Sequence, residues 1–168
     1  MAIDLDFAKK GKYGLHIRKF FLFPEFWADV KKDIDVNPSN WKFVEFEKSN
    51  LHKVSSKKGI YAFVLHPKYP SLFQTGYLFY VGKTSRPLQT RFLEYFTERD
   101  GNGKYRSLVR EFLRLYKGHL FFYFLELNTK NEVDLYEKLL LNTFVPYVNT
   151  DIPQAKIDPD IKYIYKSF

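Results

Sequence analysis

The chain predicts a mixed α/β fold of the α+β kind: a small antiparallel sheet of about three strands, flanked by helices and preceded by an N-terminal extension. Three observations predict it. Residues 60–65, 78–81 and 120–125 are short runs of aromatic and β-branched residues, which suit strands. Three other stretches place apolar residues at helical spacing. The segments between them carry Gly, Pro, Ser or Thr where a chain must turn.

Residues 1–58 read as an extension. Phe20, Phe21, Phe23, Phe26 and Trp27 form an aromatic cluster, a short helix follows through Asp35, and Trp41 to Phe46 alternate as a strand. So short and aromatic a piece is expected to pack on the rest of the chain, to cover a sheet edge, contact substrate or form a dimer interface. Residues 59–149 form the expected core domain and 150–168 a tail.

In the first core strand, alternation puts Tyr61 and Phe63 on one face, and in the second it puts Tyr80 and Gly82 on one face. Antiparallel pairing of the two strands lets both phenols look across the same surface. Gly82 removes a side chain beside Tyr80, so that a backbone or ligand can approach closely. Residues 66–76, with two prolines and a glycine, read as a loop. Lys83 to Pro87 break the strand, and a helix is expected over about Pro87–Phe96, with Pro87 at its first position. Its apolar stripe is Leu88, Phe92, Tyr95 and Phe96, and Arg91 falls inside it. An arginine on the core-facing side needs a reason, and the plainest is that its stem covers apolar surface while its head snorkels to water.

The next helix is expected at about 105–117, the third strand at 120–125 and a last helix at 133–144. On that helix Val133, Tyr136, Leu140 and Phe144 form the apolar side, and Glu137 lies one turn from Val133, Leu140 and Leu141. A partly buried carboxylate must be paired or hold a metal. A salt bridge to Arg91 or Lys83 is one reading and a bound cation the other. Twelve residues on, the Asn149 amide is placed to orient a neighbouring group.

Taken together, Gly59-Ile60-Tyr61, Tyr80-Val81-Gly82-Lys83-Thr84, Arg91, Tyr95, the run Leu135 to Leu140 around Glu137, and Pro146 to Asn149 resemble the GIY-YIG nuclease superfamily. Lys83, Tyr95 and the glutamate-to-asparagine spacing are most similar to the UvrC-type catalytic domain of excision repair. Several positions in the same order on fitting elements make the signal specific. The resemblance covers residues 59–149 and implies a single-metal endonuclease that hydrolyses DNA phosphodiester bonds. Glu137 would anchor Mg²⁺ or Mn²⁺. Tyr61 would be the general base or its relay, with Lys83 lowering its pKa. Tyr80 would place water or phosphate, Arg91 would offer its planar fork to phosphate oxygens, and Tyr95 and Asn149 would hold the set in register. Arg91 lies one residue further from Tyr80 than the family spacing, so Arg86 is the alternative guanidinium. Residues 66–76 lengthen the usual gap between the two motifs.

Composition bounds the remainder. The chain has 168 residues, 45% of them hydrophobic and 20% aromatic, enough for one aromatic-rich core. With no cysteine it has neither disulfides nor thiolate zinc sites. Its histidines, at 16, 52, 66 and 119, lack metal-ligand spacing. Without a leader or long apolar span, a soluble, cytoplasmic protein away from membranes is expected. The formal charge is +8, and Arg106, Arg110, Arg114 and Lys117 recur at helical spacing. That stripe is either a phosphate-tracking face or an ordinary solvated one. DNA is the expected partner, with RNA possible and a homodimer possible. A binding module that has lost cutting, or an RNA nuclease, is the alternative function.

Overall fold

The computed structural model describes residues 40–67, 75–103 and 106–149, isolated positions at 16, 18, 20, 22, 24, 25 and 27, and residue 159. Phe21, Phe23, Phe26, the short helix through Asp35, most of the 66–76 loop and nearly all of the tail lie outside the described residues. Four strands are present: β1 (Lys42–Glu45), β2 (Gly59–Leu65), β3 (Tyr77–Thr84) and β4 (Leu120–Glu126). A 3-10 helix spans Lys48–Lys53, and the α-helices are α1 (Leu88–Arg99), α2 (Ser107–Leu115) and α3 (Lys130–Phe144). Among the described residues no helix is long and apolar enough to cross a membrane.

The strands form one antiparallel sheet in the order β1-β4-β2-β3. The three strands of the core are thus joined by a fourth, which comes from the extension and pairs along β4, Phe43 opposite Tyr123. The alternating run 41–46 has the pattern of a strand with one covered face, and Val44 and Phe46 supply that face.

Each side of the sheet is covered by helices. On one side Tyr61, Phe63, Phe122 and Phe124 pack with Leu88, Phe92, Tyr95 and Phe96 of α1 and Val109, Phe112 and Leu113 of α2. On the other, Ile60, Ala62, Val81 and Leu125 pack with Val133 and Leu141 of α3. Phe and Tyr make up more than half of the larger cluster. Tyr61 stacks on Phe122 with centroids 5.2 Å apart, and Phe63 meets Tyr95 edge-on at 4.8 Å. Contacts of this kind add about 0.5–1.5 kcal/mol each beyond the area they bury.

Two local features set the site. The β2–β3 register shifts between Phe63 and Val64, where Phe63 faces Tyr80 but Val64 faces Leu78. Phe79 is the extra residue of this bulge, so Phe79 and Tyr80 both join the aromatic cluster although they are adjacent. The α3 helix starts three residues earlier than its apolar pattern, because Thr129 and Glu132 form a capping box. Its sheet-facing row is Val133, Glu137 and Leu141, one residue every four. Tyr136 and Leu140, expected on the apolar side, pack partly buried against the same cluster, whereas Phe144, at the end of the helix, is exposed.

Candidate active site

Pairing places Tyr61 opposite Gly82, and this is where the glycine matters. A Cβ at Gly82 would lie 2.5 Å from the Tyr61 hydroxyl oxygen and 2.6 Å from Cζ. The missing side chain therefore leaves the space that the Tyr61 ring fills. That ring is 1% exposed, and its hydroxyl lies 2.9 Å from that of Tyr95. Arg91 Nε donates to the Tyr61 oxygen at 2.9 Å and Nη2 to the Tyr95 oxygen at 3.3 Å. The guanidinium also lies over the Tyr95 ring, 4.8 Å from its centroid. Arg91, read from sequence as an arginine in an apolar stripe, has polar partners within the core. Its remaining edge is held by Glu94 at 2.7 Å.

A second arginine enters the same cluster. Arg106 donates to the Tyr80 hydroxyl at 3.0 Å and is clasped by both oxygens of Glu98, which is 5% exposed, at 2.9 and 2.5 Å. The basic stripe therefore does not form one outward face. Arg106 turns inward from the N-cap of α2, and Arg110 is half-buried behind Gly101. Only Arg114 and Lys117 of the four are exposed, and Lys117 lies beyond the end of α2, which stops at Leu115.

Burial dominates the titration of the two core phenols. It pushes Tyr61 far above the ordinary phenol range; neighbouring Tyr80 adds to the rise, and Arg91 offsets part of it. Tyr95 is raised for the same reason, with Tyr61 as its closest electrostatic neighbour. The cation beside Tyr61 is Arg91 rather than Lys83.

Lys83 points the other way. Alternation with Gly82 puts it on the α3 side of β3, where its Nζ meets Asp134 at 2.5 Å and Glu137 at 2.8 Å. Of the two expected partners of Glu137, Lys83 is the one it meets, and the side chain is only 13% exposed. Asp134 and Glu137, one turn apart, converge on a single cationic position. Hard oxygen donors of that kind fit Mg²⁺ or Mn²⁺. Among the described residues no group of three or more His, Cys, Asp or Glu gathers, so a cation here would complete its shell with water and substrate oxygens.

Asn149 closes the free edge of β3. Its side-chain oxygen accepts from Val81 N at 2.8 Å and its amide donates to Val81 O at 2.6 Å, so the side chain imitates a neighbouring strand. Val148 N donates to Phe79 O at 3.0 Å just beside it. The phenol pair and the Lys83–Glu137 pair thus lie on opposite sides of one edge strand, stitched in place between them.

At the C-terminal end of β3 lies a cavity of about 410 Å³, reached by Lys83, Arg86 and Arg91 of the expected site residues, while Tyr61, Tyr80, Tyr95, Glu137 and Asn149 stay behind its wall. Its wall includes Arg86 and Arg91 from the turn and helix after β3, Lys83 and Asp134 from the α3 side, and Lys58 and Lys130. Five cations and one carboxylate line it, and three of the cations, Lys83, Arg86 and Arg91, are paired with Asp134, Glu137 or Glu94. Arg86 is the outer member of the set, more than half exposed and bonded to both oxygens of Glu94 at 2.6 and 3.0 Å. No protein-family model, curated protein or solved structure matches this chain.

Three residues absent from the sequence reading belong to this arrangement: Glu94, Glu98 and Asp134. Each had a local signal. Glu94 lies three and Glu98 seven residues after Arg91, on the same side of the helix, and Asp134 lies three before Glu137.

Proposed function

We propose that this protein is a metal-dependent endonuclease of the GIY-YIG type, which hydrolyses DNA phosphodiester bonds at the end of β3. The observation that supports it is the cavity into which both the arginine of the phenol cluster and the lysine paired with Glu137 project. A phosphodiester cutter needs cations for the phosphate, an oxygen-rich cation site and ordered hydroxyls. Each has a candidate here.

Arg91 would take the phosphate. Tyr61 and Tyr95 already hold two of its nitrogens, which fixes the plane of the guanidinium before substrate arrives. Tyr61, buried and raised in pKa, is a poor proton acceptor at neutral pH and is better cast as the residue that orients Arg91. Tyr80 is less buried than Tyr61, and its hydroxyl receives a hydrogen bond from Arg106, so of the two strand phenols it would be the one to order water or substrate. Glu137, with Asp134, would hold a divalent cation, which would stabilise charge on the phosphate and activate water. Lys83 balances these carboxylates and keeps them together in the protein alone.

Labelled single-stranded, duplex and branched DNA, and RNA, incubated with the protein in Mg²⁺ or in EDTA, test this reading. Cleavage of DNA in Mg²⁺ only is expected, and Glu137→Ala should lower it by about 10²–10³-fold or more. Binding should persist, because Asp134 still pairs with Lys83 in that variant. Binding of every substrate without cleavage of any would refute the proposal and leave a nucleic-acid-binding module; cleavage of RNA alone would change the substrate class.

A further inference from the structure

Within the cavity the cations differ in how they are balanced. Arg86 and Arg91 share Glu94, and Lys83 shares Asp134 and Glu137. Lys58 and Lys130 make no ion pair among the described residues. The two differ in setting, Lys130 being exposed. Lys58 is half-buried, and its carbonyl accepts from Leu127 N at 3.2 Å just before β2 begins at Gly59. Lys130 is the first residue of α3.

Their natural counter-charges are already engaged. Asp134, four residues after Lys130, would be its usual helical partner, but Lys83 holds it at 2.5 Å. Glu132, which feels Lys58, commits its carboxylate to the backbone N–H groups of Thr129 and Asn128 at 2.8 and 3.1 Å. Two ammonium groups without an ion pair among the described residues therefore share a cavity wall with the proposed phosphate-binding arginine. Like charges near one another repel, and a bound anion relieves that repulsion.

We infer that Lys58 and Lys130 form a second phosphate subsite, which takes a backbone phosphate neighbouring the one at Arg91. This rests on the nucleic-acid reading of the cavity and adds which residues grip the strand outside the reacting position. Ammonium groups act as point charges without a fixed fork, so the contact tolerates any base sequence and tracks backbone charge. Arg86, bound through both outer nitrogens to Glu94, is less available for this task.

Binding of an end-labelled single-stranded DNA, followed by anisotropy across a salt series in EDTA, tests the subsite without cleavage. For Lys58→Gln/Lys130→Gln the slope of log affinity against log salt should fall in magnitude by about 1.4, from two contacts of about 0.7 each. If the lines converge near 1 M salt, that is roughly 25-fold weaker binding at 0.1 M. Lys58→Arg/Lys130→Arg should restore the slope. An unchanged slope, or an equal loss in Arg114→Gln/Lys117→Gln, overturns the subsite. DNA held with the expected slope change but never cut in Mg²⁺ refutes the nuclease reading and keeps the subsite. DNA cut with a slope indifferent to both lysines does the reverse.

Discussion

Replacing Asn149 with alanine tests how the edge strand of the site is held. The side chain satisfies both the N–H and the C=O of Val81, at 2.8 and 2.6 Å, and Val81 is 1% exposed. These groups point away from β2, since Ala62 and Val81 face each other across the β2–β3 ladder without using them. A buried backbone group stripped of its partner costs about 1–3 kcal/mol, less where water can enter. Asn149→Ala exposes two at once, so a loss of about 3 kcal/mol is expected. For a chain of this size each kcal/mol moves the melting temperature by about 2–4 °C, which gives a drop of about 6–12 °C. The aspartate variant sharpens the test. Asn149→Asp keeps the acceptor for Val81 N–H but sets an anionic oxygen against Val81 O. Its folded-state pKa must then lie above the unfolded value, so its stability is fully present below the unfolded pKa and is lost as pH rises through the folded one. Thermal melts by circular dichroism between about pH 4 and about pH 8 would record both effects. A melting temperature for Asn149→Ala within about 1 °C of the parent, or an aspartate variant indifferent to pH, would refute the reasoning.

Two further predictions concern the phenol cluster. Gly82→Ala pushes a methyl group into the Tyr61 ring and should cost about 1–3 kcal/mol in overpacking, with a matching fall in melting temperature and a changed near-ultraviolet dichroism of tyrosine; unaltered spectra would show that the ring has room. Burial raises Tyr61 and Tyr95, so the stability they confer is complete below the unfolded phenol pKa and is lost as pH rises above it. Alkaline titration followed by tyrosinate absorbance should show two phenols that ionise only with unfolding, and both titrating normally in the folded protein would contradict their placement.

Much of the element order could be read directly. Strand segments at 60–65, 78–81 and 120–125 and helices at 87–96, 105–117 and 133–144 correspond to β2, β3, β4, α1, α2 and α3, with shifted ends. The shifts have local causes. The Thr129–Glu132 capping box extends α3 backwards, and α1 continues to Arg99 because Glu98 turns inward to meet Arg106. The expected pairing of Tyr61 and Tyr80 on one surface rests on the same local rule and appears as ring centroids 6.3 Å apart.

What lay outside local reach is a matter of partners. Arg106 looked like the first residue of a solvated stripe, yet Glu98, on the preceding helix, turns it onto Tyr80. Lys83 follows Gly82 by one position and so points to the opposite side of the sheet, away from the phenol it was expected to tune. Phe79 and Tyr80 share a side only because the ladder slips between Phe63 and Val64.

Periodicity settled which residues of each strand or helix share a face, because backbone geometry repeats every two or about 3.6 residues whatever lies nearby. Folding in three dimensions decided which faces meet: that β1 closes against β4, that Asn149 completes the β3 edge, and that Arg91 of α1 and Lys83 of β3, on opposite sides of the sheet, reach a common cavity. Those outcomes depend on strand order and on charges brought together across long stretches of chain, and no local repeat carries that information.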